Sequence, residues 1–192
     1  GGTIDTDGGA ITIRTIVDGT ANGNVVLGVL DNSTNSSAEL AGDITVTSGN
    51  DITLQSEYDF DETGTDAVSV DNDPSFITFE LNADNAITLN QSIVDAAVDD
   101  DDTLNLVLNA GRQTGSTTGH ININAATYTG GGTISASGVD FDSAGVWIHT
   151  GYSNAGGGGN TTTSGDITLA MTGAVTLGNL RTEGGFGGGD LS

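Results

Sequence analysis

The side chains in this sequence best suited to hold a ligand are carboxylates. Asp59-Phe60-Asp61-Glu62-Thr63-Gly64-Thr65-Asp66 is followed closely by Asp71-Asn72-Asp73. Carboxylates spaced this tightly around a glycine can converge on Ca²⁺, which takes about six to eight oxygen ligands. Asp59, Asp61, Glu62, Asp66, Asp71 and Asp73 are the candidate ligands. The spacing departs from an EF-hand loop: the glycine falls at the sixth position, but Thr63 occupies the third ligand position and the closing Glu is missing. It also lacks the Gly-Gly-x-Gly-x-Asp nonapeptide of calcium-binding solenoids. The competing reading is a solvated acidic loop that needs no cofactor.

Other acidic groups read as surface. Asp99-Asp100-Asp101-Asp102, with Asp95 upstream, is a run of like charges that marks an exposed turn. Asp140 and Asp142 flank Phe141 and are expected on the outward face of one strand, as are Asp5 and Asp7. His120 and His149, the two histidines, each lie beside a predicted strand, where a solvent-facing position is expected. With no Cys, no Lys and no nucleophile elbow, catalysis has little support in the sequence. Asp140 and Asp142 could mimic the paired carboxylates of polysaccharide-cleaving solenoids. Those enzymes also need basic groups and aromatic platforms along a groove, which three scattered arginines do not make. The chain therefore reads as no enzyme, with a carbohydrate-active β-helix enzyme or a carbohydrate-binding module as the alternative. Trp147, His149 and Tyr152 gather beside the insert Gly156-Gly157-Gly158-Gly159. A carbohydrate or protein contact there competes with a loop that packs its Trp over a sheet end.

Composition narrows the partners. There are 26 acidic residues against Arg14, Arg112 and Arg181, a formal net charge of -23. Phosphate neutralisation requires a basic face, so nucleic acid is not an expected partner, and anionic membrane surfaces are disfavoured likewise. No apolar run is long enough to span a bilayer, so no membrane insertion is expected. The absence of Cys removes a disulfide framework. The sequence opens Gly1-Gly2-Thr3 without a signal-like segment, so an excised piece or mature fragment is expected, with any export signal outside it.

The elements that would position these groups are short strands. Apolar-polar-apolar triplets recur as Ile11-Thr12-Ile13, Ile44-Thr45-Val46, Ile52-Thr53-Leu54, Ile77-Thr78-Phe79, Ile87-Thr88-Leu89, Leu104-Asn105-Leu106, Ile121-Asn122-Ile123, Ile167-Thr168-Leu169 and Val175-Thr176-Leu177. Period-two alternation bounded by Gly, Asn and Asp predicts strands of three to five residues throughout, with no helix. Gly42 to Leu54 aligns without a gap on Gly165 to Leu177, and the phrase returns, stretched, in Ile77 to Leu89. Self-similarity of this kind predicts an all-β, right-handed parallel β-helix with loop insertions at its corners. A β-sandwich is the alternative, though it asks for longer strands and clearer hairpin turns. Coils of roughly 20 residues would give about nine or ten rungs over about 45 Å. Residues 1-192 are expected to form a single solenoid segment.

Gly165-Asp166-Ile167-Thr168-Leu169, Ala174-Val175-Thr176-Leu177-Gly178-Asn179-Leu180 and Thr182-Glu183-Gly184-Gly185-Phe186-Gly187-Gly188-Gly189-Asp190 resemble the repeats of filamentous-haemagglutinin-like exoproteins. The likeness runs through most of residues 42-192 and is weaker over 1-41. It implies a giant, secreted bacterial surface protein of the two-partner-secretion type, built as a right-handed β-helix and used as an adhesin, fibre or stalk. Partners would then be copies of itself or adjoining repeats, with cell-surface or matrix carbohydrate or protein as targets. The tail Gly187-Gly188-Gly189-Asp190 would run on into Gly1-Gly2-Thr3-Ile4, as Gly131-Gly132-Thr133-Ile134 does internally. One unit of a tandem array, open at both ends, is the resulting expectation.

Overall fold

The structure, a computed structural model, describes residues 4-5, 9-15, 23-31, 42-59, 76-94, 103-112, 116-151 and 164-182. All regular structure among these is strand. The first segments are β1 (Ile4–Asp5), β2 (Ile11–Arg14), β3 (Val25–Leu27), β4 (Leu30–Asp31), β5 (Ile44–Ser48), β6 (Ile52–Leu54) and β7 (Tyr58–Asp59). The middle holds β8 (Phe76–Ala83), β9 (Ile87–Leu89), β10 (Ile93–Val94), β11 (Thr103–Asn109), β12 (His120–Ile123) and β13 (Thr127–Tyr128). The last are β14 (Ile134–Gly138), β15 (Asp140–Asp142), β16 (Trp147–His149), β17 (Ile167–Met171), β18 (Val175–Thr176) and β19 (Asn179–Arg181).

Every pairing is parallel, and every pair joins strands three places apart in the chain. Sheet 1 runs β2-β5-β8-β11-β14-β17, sheet 2 runs β3-β6-β9-β12-β15-β18, and sheet 3 runs β7-β10-β13-β16-β19, with β1-β4 as a separate pair. Hairpins, the connections of a sandwich, are absent among the described residues. Three sheets of parallel strands visited in strict rotation are compatible with a parallel β-helix.

The register explains the triplets. On sheet 1, Ile11, Ile44, Phe79, Leu106, Ile134 and Ile167 stack in one column, and Ile13, Val46, Leu81, Leu108, Ala136 and Leu169 in the next. On sheet 2, Val25, Ile52, Ile87, Ile121, Phe141 and Val175 form a third. Side chains alternate across a strand, so the apolar members point inward together and the Thr or Asn between them points out. The matched phrases Gly42 to Leu54 and Gly165 to Leu177 accordingly occupy the same two sheets. Columns from different sheets meet inside: Tyr58 of sheet 3 packs on Phe79 of sheet 1 with ring centroids 4.7 Å apart.

One expectation is corrected. Ile121 pairs with Phe141 over the expected length of coil, but the step from Ile44 to its partner Phe79 is nearly twice as long. The expected coil is thus the shortest rung and not the typical one. Among the described residues, sheets 1 and 2 contain six strands each, where nine or ten rungs were expected of the chain. At about 4.8 Å per strand they extend about 24 Å.

Glycine sets the corner into sheet 1. Gly42, Gly132 and Gly165 stand two residues before Ile44, Ile134 and Ile167. A Cβ on Gly132 would fall on the Leu104 carbonyl, and one on Gly165 would fall on the backbone of Gly132. Successive rungs touch backbone to backbone here, and only glycine leaves room. The Asp that often follows has its own task. The Asp43 carboxylate, after Gly42, accepts the Thr78 amide at 2.8 Å; at the entry to sheet 2 the Asp51 carboxylate, which follows Asn50, accepts the Ala86 amide at 3.2 Å. Part of the acidity is therefore stitching between rungs.

Candidate functional site

Of the expected calcium ligands, Asp59 lies in β7, in register with Val94. Asp61, Glu62, Asp66, Asp71 and Asp73 lie outside the described residues, as do Asp95, Asp99 to Asp102 and Tyr152. Among the described residues, no group of three or more His, Asp or Glu side chains is placed to hold a metal ion.

Asp140 and Asp142 do flank an inward residue, since Phe141 is buried between them. Their roles are local. The Asp140 carboxylate accepts the Ala174 amide from the next rung at 2.7 Å, and its other oxygen lies 3.0 Å from Nδ1 of His120 on the previous rung. The Asp142 carboxylate accepts the Ala144 amide at 2.9 Å. Both partners of the His120-Asp140 pair are more than a third exposed, which keeps its energetic weight at about 0–1 kcal/mol. With one carboxylate oxygen committed to the backbone, Asp140 acts as a rung tie.

A polar groove of about 620 Å³ opens where the ends of β8, β11 and β14 meet the segment around Arg112. Its floor is a ladder. The Asn109 amide donates to Oδ1 of Asn82 at 3.0 Å, and the Ser137 hydroxyl donates to Oδ1 of Asn109 at 2.7 Å. Arg112 reaches the Asn82 carbonyl at 3.4 Å and approaches Asp84 at 3.9 Å. The amide dipoles are largely spent on one another, so this groove is built first as a seam between rungs.

The outward face of sheet 3 is chemically the most distinct. Tyr128, His149 and Arg181 stand in register on three successive strands. Their inward neighbours Thr127, Ile148 and Leu180 hold the strands to the core. The Tyr128 and His149 rings meet edge to face, 6.0 Å between centroids at 79°. Trp147, two residues before His149 and so on the same face, is 45% exposed. The expectation that Trp147 sits on a loop over a sheet end is corrected: it is a strand residue in β16. Tyr128 and Arg181 were not legible as its neighbours, because about one rung of chain separates each of them from it.

Also missed was a hydroxyl lane at the corner between sheets 3 and 1. Thr127, Thr129 and Thr150 are fully buried. Thr129 donates to the Gly132 carbonyl at 2.7 Å, whereas Oγ1 of Thr127 and of Thr150 meets no acceptor. A buried hydroxyl without a partner costs about 1–3 kcal/mol. No sequence signal separates these threonines from the many that face outward.

No protein-family model matches this chain, and neither a curated protein nor a solved structure matches it.

Proposed function

We propose that this chain is a non-enzymatic structural or adhesive repeat of an extracellular bacterial surface protein, a right-handed parallel β-helix that stacks end to end. The observation that carries this reading is the change in exposure along the inward columns. On sheet 2, Ile52, Ile87 and Ile121 are 0% exposed and Phe141 is 1%, yet Val175, next in the same column, is 44%. Leu177 is 43% exposed. On sheet 2, core positions come to the surface at the last described rung, where the parallel edge of β17, β18 and β19 has no strand beyond it among the described residues, while Ile167 on sheet 1 stays 1% exposed. Another rung of the same pattern would bury both. The wiring, with paired strands always three places apart, supports a rod whose core continues through any further rung. The carboxylates of residues 59-73 fit this reading as cation-binding, calcium-responsive groups.

Sedimentation of the concentrated protein, with and without the double substitution Val175→Asp and Leu177→Asp, tests the stacking. Association that grows with concentration and is abolished by the two charges is the expected result. A monodisperse monomer at high concentration, unchanged by the substitutions, would overturn it.

A further inference from the structure

We propose that the groove over the ends of β8, β11 and β14 binds a neutral oligosaccharide, laid across the ladder of Asn82, Asn109 and Ser137. Such a site gives the adhesive reading its class of target. It rests on that reading for its biological role alone, because the groove lies on a sheet face and needs no second copy.

The ladder is bonded in one direction only. The Ser137 hydroxyl donates to Asn109 and the Asn109 amide donates to Asn82, at 2.7 Å and 3.0 Å. A one-way chain leaves a donor over at one end and an acceptor at the other. Here they are the N–H groups on Nδ2 of Asn82 and the lone pairs on Oγ of Ser137, which meet no partner among the described residues. Parallel register sets these groups two strands apart, about 10 Å. Two linked pyranose rings span that distance. Sugar hydroxyls donate and accept alike, so one ligand can meet both ends.

The walls suit the same ligand. Gly111, at φ 65°, folds the chain back onto Gly119, where a Cβ would come within 2.8 Å of the Gly119 Cα. That close contact fixes the Arg112 side of the groove before a ligand arrives. Arg112 reaches the Asn82 carbonyl through Nη1 at 3.4 Å and nears Asp84 through Nε at 3.9 Å, which leaves Nη2 for a sugar hydroxyl. Val139 adds apolar surface for the C–H groups of a pyranose. The volume of about 620 Å³ lies within the usual range for small-ligand sites.

Charge and lining select the class. Asp84 offsets the Arg112 cation, and a chain of net charge -23 repels anions. A peptide would need an apolar pocket for its side chains, whereas short polar groups make up most of this lining.

Amide NMR of the isotope-labelled protein, titrated with cellotriose and with maltotriose, reads the site. Saturable shifts at the side-chain amides of Asn82 and Asn109 and at Gly111, with a Kd on the order of 1 mM, are expected with at least one of them from a few partly exposed hydrogen bonds. Asn82→Asp keeps the acceptor for Asn109 but removes the spare donors, and should weaken binding about fivefold, as should Ser137→Ala. Asn105→Asp, an equal charge on the same sheet outside the groove lining, should bind as the parent does. Circular dichroism checks that the variants keep the sheet. No saturable shift with either trisaccharide, shifts that leave the groove residues unmoved, or unchanged affinity in Asn82→Asp and Ser137→Ala would overturn the proposal. Equal shifts with tetraglycine would overturn the sugar class. Sedimentation of the same samples separates the two readings: stacking without trisaccharide binding overturns this site and leaves the stacking in place.

Discussion

If the inward columns are continuous, the same truncation should cost very different amounts along one of them. Ile87 is fully buried, with Ile52 on one side and Ile121 on the other. Its neighbours cannot close over a cavity, because the backbone pins them: the Ile52 amide donates to the Ala86 carbonyl at 2.9 Å and the Asn90 amide to the Leu54 carbonyl at 3.0 Å. Ile87→Ala should therefore fall in the upper part of the range for buried Ile-to-Ala changes, about 4 kcal/mol. Val175 is 44% exposed with one neighbour in the column, Phe141. Val175→Ala removes two half-buried methyls, worth about 1 kcal/mol. Thr88, the outward residue of the same strand as Ile87, should lose under about 0.5 kcal/mol on change to Ala. Equilibrium urea unfolding reads all three. With a slope of about 2 kcal/mol/M, the Ile87 variant should unfold on the order of 2 M earlier, and the Val175 variant about 0.5 M earlier. The reasoning fails if Ile87→Ala costs no more than Val175→Ala at an unchanged slope, since the column would then not be a closed core. In a longer protein that adds a rung beyond β18, the Val175 cost should climb toward that of a buried valine.

Gly132→Ala should cost about 2–3 kcal/mol in the same assay, because its methyl meets the rigid Leu104 backbone. Gly145→Ala, at φ 80° in open space, should cost only about 1 kcal/mol from backbone strain. Asp140→Ala should speed hydrogen exchange of the Ala174 amide about tenfold, while Asp140→Asn, which keeps an acceptor, should leave it unchanged.

Sheets 1 and 2 were legible because their strands are long enough to alternate. All nine triplets found in the sequence lie in these two sheets, eight of them wholly within strands; Leu177 falls one residue past β18. Sheet 3 was invisible for the converse reason. Tyr58–Asp59, Ile93–Val94 and Thr127–Tyr128 have two residues each, and two residues cannot show a period. Missing one strand in three, and setting the inserts outside the rung, is what made each coil look shorter than it is. The aromatic face suffered most, since it belongs to that third sheet. Its residues are brought together by parallel register, with a full rung of chain between one strand and the next, and local pattern does not encode that. Tyr58 shows the same gap on a smaller scale: its place before the acidic run suggests an insert, but it is a core residue packed on Phe79.

The uniform strand direction limits how copies of this chain could extend one another. A two-fold axis relating two copies reverses strand direction, so a symmetric dimer joined edge to edge would place antiparallel strands at its seam. Its partners would then meet out of step with the Ile, Leu and Val columns on both sides. Continuing those columns requires the β17 edge of one copy against the β2 edge of another, two different surfaces. Contacts of that heterologous kind do not close on two copies but propagate, so the same register that orders the core makes filament growth the natural outcome of any association through it.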